Sequence, residues 1–381
     1  MSAVERVLVV GAGIAGLSAS AALGQVGIDV DLVEIQPEPS SDGTGIQQPA
    51  NAIRAFKALG VLEAIREQGF RFKKSGFCDQ AGNVLNTHAH RPDDELAGNG
   101  IVRPRLHDIL LGAARDRGTT LRTSLTVDEL EQTPDEVRVR FSDGTSAAYD
   151  LVVGADGINS KLRKMLFGPH PAPAFTGEMV WRCNLPRIPE VEGTWIYATI
   201  GARAGLIPIG PDLMYIFLIE SPREGEMRIP DERLAEVFRE HLADYGGLIA
   251  QVRDSSLREP DPPILYRPLE ALMLSPDWHR GRVVIVGDAA HAMTPHLGQG
   301  AAQAVEDGLV LSRLLARDRS PIDAILAEFM SRRHDRCKFS LDSSLQIGQW
   351  EVERRTDADY IGLSNRVWEL NALPFFDDLE E

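Results

Sequence analysis

The segment Gly11-Ala12-Gly13-Ile14-Ala15-Gly16 constrains this chain more than any other feature, because of what flanks it. The pattern predicts a buried parallel-type strand over Arg6–Val10, a glycine turn, a helix over Ile14–Gln25 and a second strand over Ile28–Val33 ending at Glu34. Each glycine answers a separate need: Gly11 the tight turn, Gly13 the approach of a pyrophosphate to the backbone, Gly16 the close packing of helix on strand. The helix N-terminus then offers free N–H donors and a positive dipole to phosphate groups. Glu34 lies 23 residues beyond Gly11, where a carboxylate hydrogen-bonds the ribose hydroxyls of an adenine dinucleotide and repels a 2′-phosphate. The site therefore suits FAD or NAD rather than NADP.

Two later stretches repeat the theme. Asp150–Gly154 predicts a buried strand leading into Gly154-Ala155-Asp156-Gly157 and a helix carrying Ser160 and Arg163; alone, it is also consistent with a capped turn. Val283–Val286 delivers Gly287-Asp288-Ala289-Ala290-His291, followed by Pro295, Gly298, Gln299 and Gly300 at the start of another helix. Between these strand–helix units, residues 175–220 alternate with β-branched and aromatic side chains, which predicts a separate antiparallel sheet. Residues 36–48 are rich in Pro, Ser, Asp and Gly and read as a loop.

The expected fold class is α/β, a Rossmann-like nucleotide-binding domain, for FAD or NAD, with an inserted antiparallel sheet and C-terminal helices. The division expected is 1–70, 97–174 and 263–335 for the nucleotide-binding domain, 71–96 and 175–262 for the sheet, and 336–381 for a C-terminal helical segment.

Composition excludes several partners. The chain has 381 residues, 40 basic against 56 acidic, so its net charge of −16 argues against nucleic acid or an anionic membrane. No apolar run approaches the roughly 20 residues a membrane helix needs, and no secretory leader is apparent. Cys78, Cys183 and Cys337 show neither disulfide nor metal spacing and read as the reduced thiols of a cytoplasmic protein. His88 and His90 share a strand face without a third ligand nearby, so no metal centre is expected. The chain is expected to be a monomer or a homodimer.

The three motifs in this order, with Arg103 three residues before Leu106, resemble the single-component FAD-dependent aromatic hydroxylases, the group A flavoprotein monooxygenases. That resemblance implies FAD as the resident cofactor, with Gly11, Gly13, Ile14, Ala15, Gly16 and Glu34 around its adenosine diphosphate. Arg103 would reach its phosphates or ribityl, Asp288 the ribityl chain, and Leu297, Gly298 and Gly300 would face the flavin ring. Asp156 would serve the flavin and nicotinamide sides structurally. With a single dinucleotide fingerprint, NADH or NADPH is expected as a transient co-substrate. The reaction implied is hydroxylation of a small aromatic or heteroaromatic substrate with O₂ through a flavin C4a-hydroperoxide.

For the substrate, Arg203 and Tyr215 flank Pro208 at a spacing similar to that of the urate hydroxylases in this family, where such residues contact the purine. Salicylate-type hydroxylases tend instead to carry His and Tyr where this chain has Arg203 and Ile207. Arg203 is expected to anchor an anionic planar substrate, Tyr215 to orient it or relay a proton, and His296 to act as base. A buried, hydrogen-bonded structural histidine is the alternative for His296, and His291 reads as structural. A bulkier natural-product substrate, or a non-catalytic flavin-binding protein, are the alternative functions.

Overall fold

In the computed structural model, residues 4–38, 43–257, 263–275, 277–317 and 320–373 are described. The strand Arg6–Val10 lies at the centre of a six-stranded sheet, ordered 279–280, 283–285, 151–154, 6–10, 29–33, 120–122. Every neighbouring pair is parallel except 279–280 with 283–285. The interior strands are near-continuous runs of Val, Leu and Ile because helices cover the sheet, among them 14–25 and 300–317. The strands 127–132, 137–141 and 146–149 form a three-stranded antiparallel sheet.

The second layer is a seven-stranded sheet in the order 264–271, 174–186, 213–220, 202–208, 195–199, 74–78, 84–89. Alternation gives it two characters. Trp181, Cys183, Ala204, Leu206, Met214, Ile216 and Leu218 point outward into a core closed by the helices 234–241 and 247–255. Val180, Ile207, Tyr215, Phe217 and Ile219 take the opposite face and look into a cavity.

Two expectations are corrected. The strand Ile264–Ala271, assigned to the nucleotide-binding domain by its position after residue 262, hydrogen-bonds along Ala174–Cys183 as an edge of the substrate sheet. Its alternation, half-exposed and interrupted by Pro268, carries the mark of an edge strand. Gly45–Gln48, read as loop, is a strand antiparallel to Asn99–Val102; residues 39–42 of that loop lie outside those described. Its local composition signals a turn, but a partner strand, Asn99–Val102, far along the chain satisfies its backbone. Gly45 is needed there, since a Cβ would meet Ile209 at 2.4 Å and Tyr215 at 2.6 Å.

The expected boundary between residues 335 and 336 falls inside one continuous helix, Ile322–Val352, which is followed by the helix Tyr360–Ala372. No helix among the described residues is long and apolar enough to cross a membrane.

Candidate active site

The glycine turn behaves as its spacing demands. Gly11 has φ +102°, and a Cβ there would lie 2.5 Å from the Ala155 carbonyl oxygen; at Gly16 it would lie 1.8 Å from the Gly11 oxygen. At Gly13 a Cβ would meet nothing within 4 Å, because this backbone faces the open cavity. Gly13 caps the helix 14–25 without a side-chain hydrogen bond, and its first turn holds no acidic residue, so its N–H groups are left for an anion. Glu34 reaches back to this turn: its Oε2 accepts from the Ala12 N–H at 2.7 Å and its Oε1 from Gln36 at 2.9 Å.

The third motif packs on the first. Gly287, at φ +61°, puts its α-carbon so close to the helix 14–25 that a Cβ would meet Ala15 at 2.6 Å. Asp288 then opens the short helix 288–291, and Gly298, left-handed at φ +65°, ends the 3₁₀ turn 295–297 before Gly300 starts the helix 300–317. The second motif proves to be internal bracing. Asp156 accepts from the backbone N–H of Lys161 at 2.7 Å and of Leu162 at 3.0 Å, which ties it to the helix 161–167. The cavity is lined instead by its neighbours Ala155, Gly157 and Ile158, and Asp156 itself is not among its lining residues. Arg163 donates to the Ala289 carbonyl at 2.8 Å and so links the second motif to the third. His291 is structural as expected, bound to Asp307 at 2.7 Å in a buried network with Arg333.

These elements enclose a cavity of about 1160 Å³ between the parallel sheet and the seven-stranded sheet. Gly13, Ile14, Ala15, Arg103, Asp288, Leu297, Gly298 and Gly300 line one side, Arg203, Tyr215 and His296 the other. Gly11, Gly16 and Glu34 stand behind the lining and shape the turn. FAD fits the residues present: an open glycine cradle, uncapped helix N–H groups, and Arg103, whose Nε is buried without a hydrogen-bond partner among the described residues.

On the sheet side the structure revises two roles. Arg203 is buried, with its Nε and Nη2 each 2.9 Å from Glu351 Oε1. Its charge is therefore compensated inside the protein, which weakens it as the substrate anchor. His296 Nδ1 lies 3.0 Å from Thr294 Oγ1, and Nε2 lies 3.3 Å from both Glu178 and Glu351. Burial alone would lower the imidazole's pKa, but the hydrogen bonds and charges of Glu178 and Glu351 outweigh it and raise the value. A raised pKa favours the proton-bearing imidazole, and a ring set between Thr294 and two carboxylates is poorly placed to take a proton from a substrate. Burial likewise raises the Glu178 carboxyl despite His296, whereas Arg203 and His296 overcome burial at Glu351 and lower it. The donor atoms of Glu178, His296 and Glu351 are close enough for a metal ion, but Arg203 already serves as the cation on Glu351.

Neither Glu178 nor Glu351 was singled out from the sequence, because the two are 173 residues apart. A usable signal was nonetheless present. Gly177, at φ +94°, sits in a register irregularity of the strand 174–186, beside Glu178. Gly348 interrupts the helix 322–352, where a Cβ would lie 2.5 Å from Glu178 and 3.1 Å from His296. A glycine inside a strand or helix marks a close approach.

Arg182 was also missed. It follows Val180 on the cavity face, and no hydrogen bond or ion pair engages its guanidinium among the described residues; its Nε is buried without a partner. Arg182 is half-buried; desolvation and the neighbouring Arg103 lower its pKa, against the raising influence of Tyr215. It acts electrostatically on Tyr215, whose phenol burial pushes up to about 12 against the lowering influence of Arg182 and Arg103.

A glycine cradle for a dinucleotide, roofed by a sheet that presents arginine and tyrosine, is a site for a bound dinucleotide beside a chamber for a second ligand. The chain belongs to the FAD-binding domain family FAD_binding_3, which matches residues 5–344, and is an FAD-dependent monooxygenase of the aromatic hydroxylase type. It is 32% identical over 332 residues to the putative FAD-dependent monooxygenase YetM of Bacillus subtilis, covering 86% of this chain and 89% of that one. It is 34% identical over 355 residues to 2-heptyl-3-hydroxy-4(1H)-quinolone synthase of Pseudomonas aeruginosa, covering 91% and 90%. In fold it matches the Klebsiella pneumoniae HpxO complex with FAD and uric acid, with TM-score 0.81 at 24% identity, covering 98% of this chain and 95% of that one.

Proposed function

We propose that this enzyme hydroxylates an electron-rich heteroaromatic ring bearing a ring oxygen, using NADH or NADPH and O₂. The observation that carries this reading is the Arg182 guanidinium on the cavity face, which has no hydrogen-bond or ion-pair partner among the described residues and lies within electrostatic reach of Tyr215 and Arg103. A half-buried guanidinium that lines a cavity with no carboxylate of the protein beside it offers an oxyanion a charge-assisted hydrogen bond. The named activities of the relatives agree in ring type: quinolone, urate and 6-hydroxynicotinate are all nitrogen heteroaromatics carrying oxygen.

Bound FAD supplies electron transfer from the nicotinamide and the activation of O₂. In our reading Gly13, Ile14, Ala15, Arg103, Asp288 and the 297–300 turn hold it, with Glu34 and Gly11 fixing the cradle. Arg182 takes over the anchoring expected of Arg203 and favours the ring oxyanion, which makes the neighbouring ring carbon more nucleophilic. Tyr215, kept neutral by burial, orients that oxygen as a hydrogen-bond donor. His296 acts as a positioning residue: its imidazolium locks Glu178 and Glu351 and so fixes the loop leading to Gly298. The apolar side chains Phe217, Ile207 and Ile219 keep the site dry, which limits loss of oxygen as hydrogen peroxide.

The test is a screen of hydroxylated and oxo N-heteroaromatics for stimulated NADH or NADPH oxidation, with peroxide measured in parallel. Stimulation with little peroxide supports the reading; no stimulation by any such ring contradicts it.

A further inference from the structure

We propose that the cavity continues into a subsite for a hydrocarbon tail on the substrate ring, walled by the helix Tyr360–Ala372. This rests on the hydroxylase reading above and specifies its substrate class. The helix divides its faces by spacing. Leu363 and Val367 pack inward with Ile347 and Leu297, which anchors the helix to the 3₁₀ turn beside His296. Ile361, Ser364, Asn365, Trp368 and Ala372, at i, i+3, i+4, i+7 and i+11, form the stripe that lines the cavity.

That stripe carries no charge, and its two large apolar members are not covered: Ile361 is 43% and Trp368 40% exposed. Facing them across the opening is the sheet edge. Phe77 on the strand 74–78 has its ring centroid 6.4 Å from that of Trp368, and Ile196 on the strand 195–199 lines the same wall. The opening is continuous with the chamber holding Arg182 and Tyr215, so a ring seated there can direct a substituent outward along the apolar wall that the contacting rings of Phe77 and Trp368 make with Ile361 and Ile196. Exposed aromatic and aliphatic side chains at the end of a cavity are what an apolar ligand covers. The name of the quinolone synthase to which this chain is 34% identical specifies an alkyl chain on the ring.

The experiment uses the FAD-loaded protein and 4-quinolones carrying methyl, propyl, pentyl or heptyl at carbon 2, with Kd read from perturbation of the flavin spectrum. Each methylene that enters the groove should tighten Kd by about twofold to fourfold until the groove is filled. W368A and I361S should both reduce that dependence on chain length. Equal Kd across the series, no binding by any member, or a length dependence unchanged in both variants overturns the subsite. A dimer that W368A dissociates in sedimentation velocity, with Kd independent of chain length, would assign the apolar patch to a second copy instead and likewise overturn it. The two readings fail separately. Length-dependent binding without stimulated NADH oxidation leaves the subsite and removes hydroxylation, whereas stimulated oxidation that ignores chain length does the reverse.

Discussion

The buried group around His296 contains four side chains whose charges are held in place by one another. Glu351 is the shared partner: it accepts from Arg203 and lies against His296. Glu351→Gln leaves two buried cations with one carboxylate, and breaking such a pair costs about 3–5 kcal/mol, measurable by urea denaturation. The His296 imidazole has its pKa raised on folding, so its contribution is complete below the unfolded value of about 6.5 and is lost as pH rises through the higher folded value. The difference in Tm between the wild type and His296→Gln should therefore shrink on going from pH 6 to alkaline pH; a constant difference would show that the histidine does not titrate there. Arg182→Met has the opposite character. Removing a half-buried charge with no carboxylate of the protein beside it should leave the ligand-free protein as stable or more stable, while weakening binding of an anionic ring roughly tenfold or more. Lower stability with unchanged ring affinity would mean the guanidinium is structural. The roles of Arg203 and His296 were not legible in the sequence, because each is set by carboxylates more than fifty residues away. Arg182 was hidden for a different reason: nothing in a strand pattern separates an arginine facing a cavity from one facing water.

Among the elements, the first strand, glycine turn and helix follow their local pattern closely, since every requirement there is met by neighbours in sequence. The glycines can be told apart by substitution. Gly13→Ala should fold normally, as its Cβ meets open space, yet weaken FAD binding by roughly tenfold through intrusion on the cradle. Gly16→Ala should lower Tm before any ligand is considered, because its Cβ would overlap the Gly11 carbonyl. Equal effects of the two on folding would contradict the assignment. What the pattern could not supply was pairing at a distance: Gly45–Gln48 and Ile264–Ala271 become strands only because Asn99–Val102 and Ala174–Cys183 lie beside them.

Across the molecule, two layers divide the work. The parallel sheet and its helices present backbone N–H groups and small residues to a phosphate-bearing cofactor. The seven-stranded sheet presents side chains to a ring, and the helix 322–352 carries Glu351 and Gly348 to the junction of the two. This order of motifs around an inserted sheet was readable as a family pattern, while the assignment of the edge strand 264–271 depended on three-dimensional register. The most direct measurement follows ¹⁸O₂ during turnover of the yellow, FAD-loaded protein with NADH and a ring substrate found by the screen. The account predicts one labelled oxygen in the ring product for each NADH consumed. Unlabelled product, or label recovered only in water and peroxide, would contradict it.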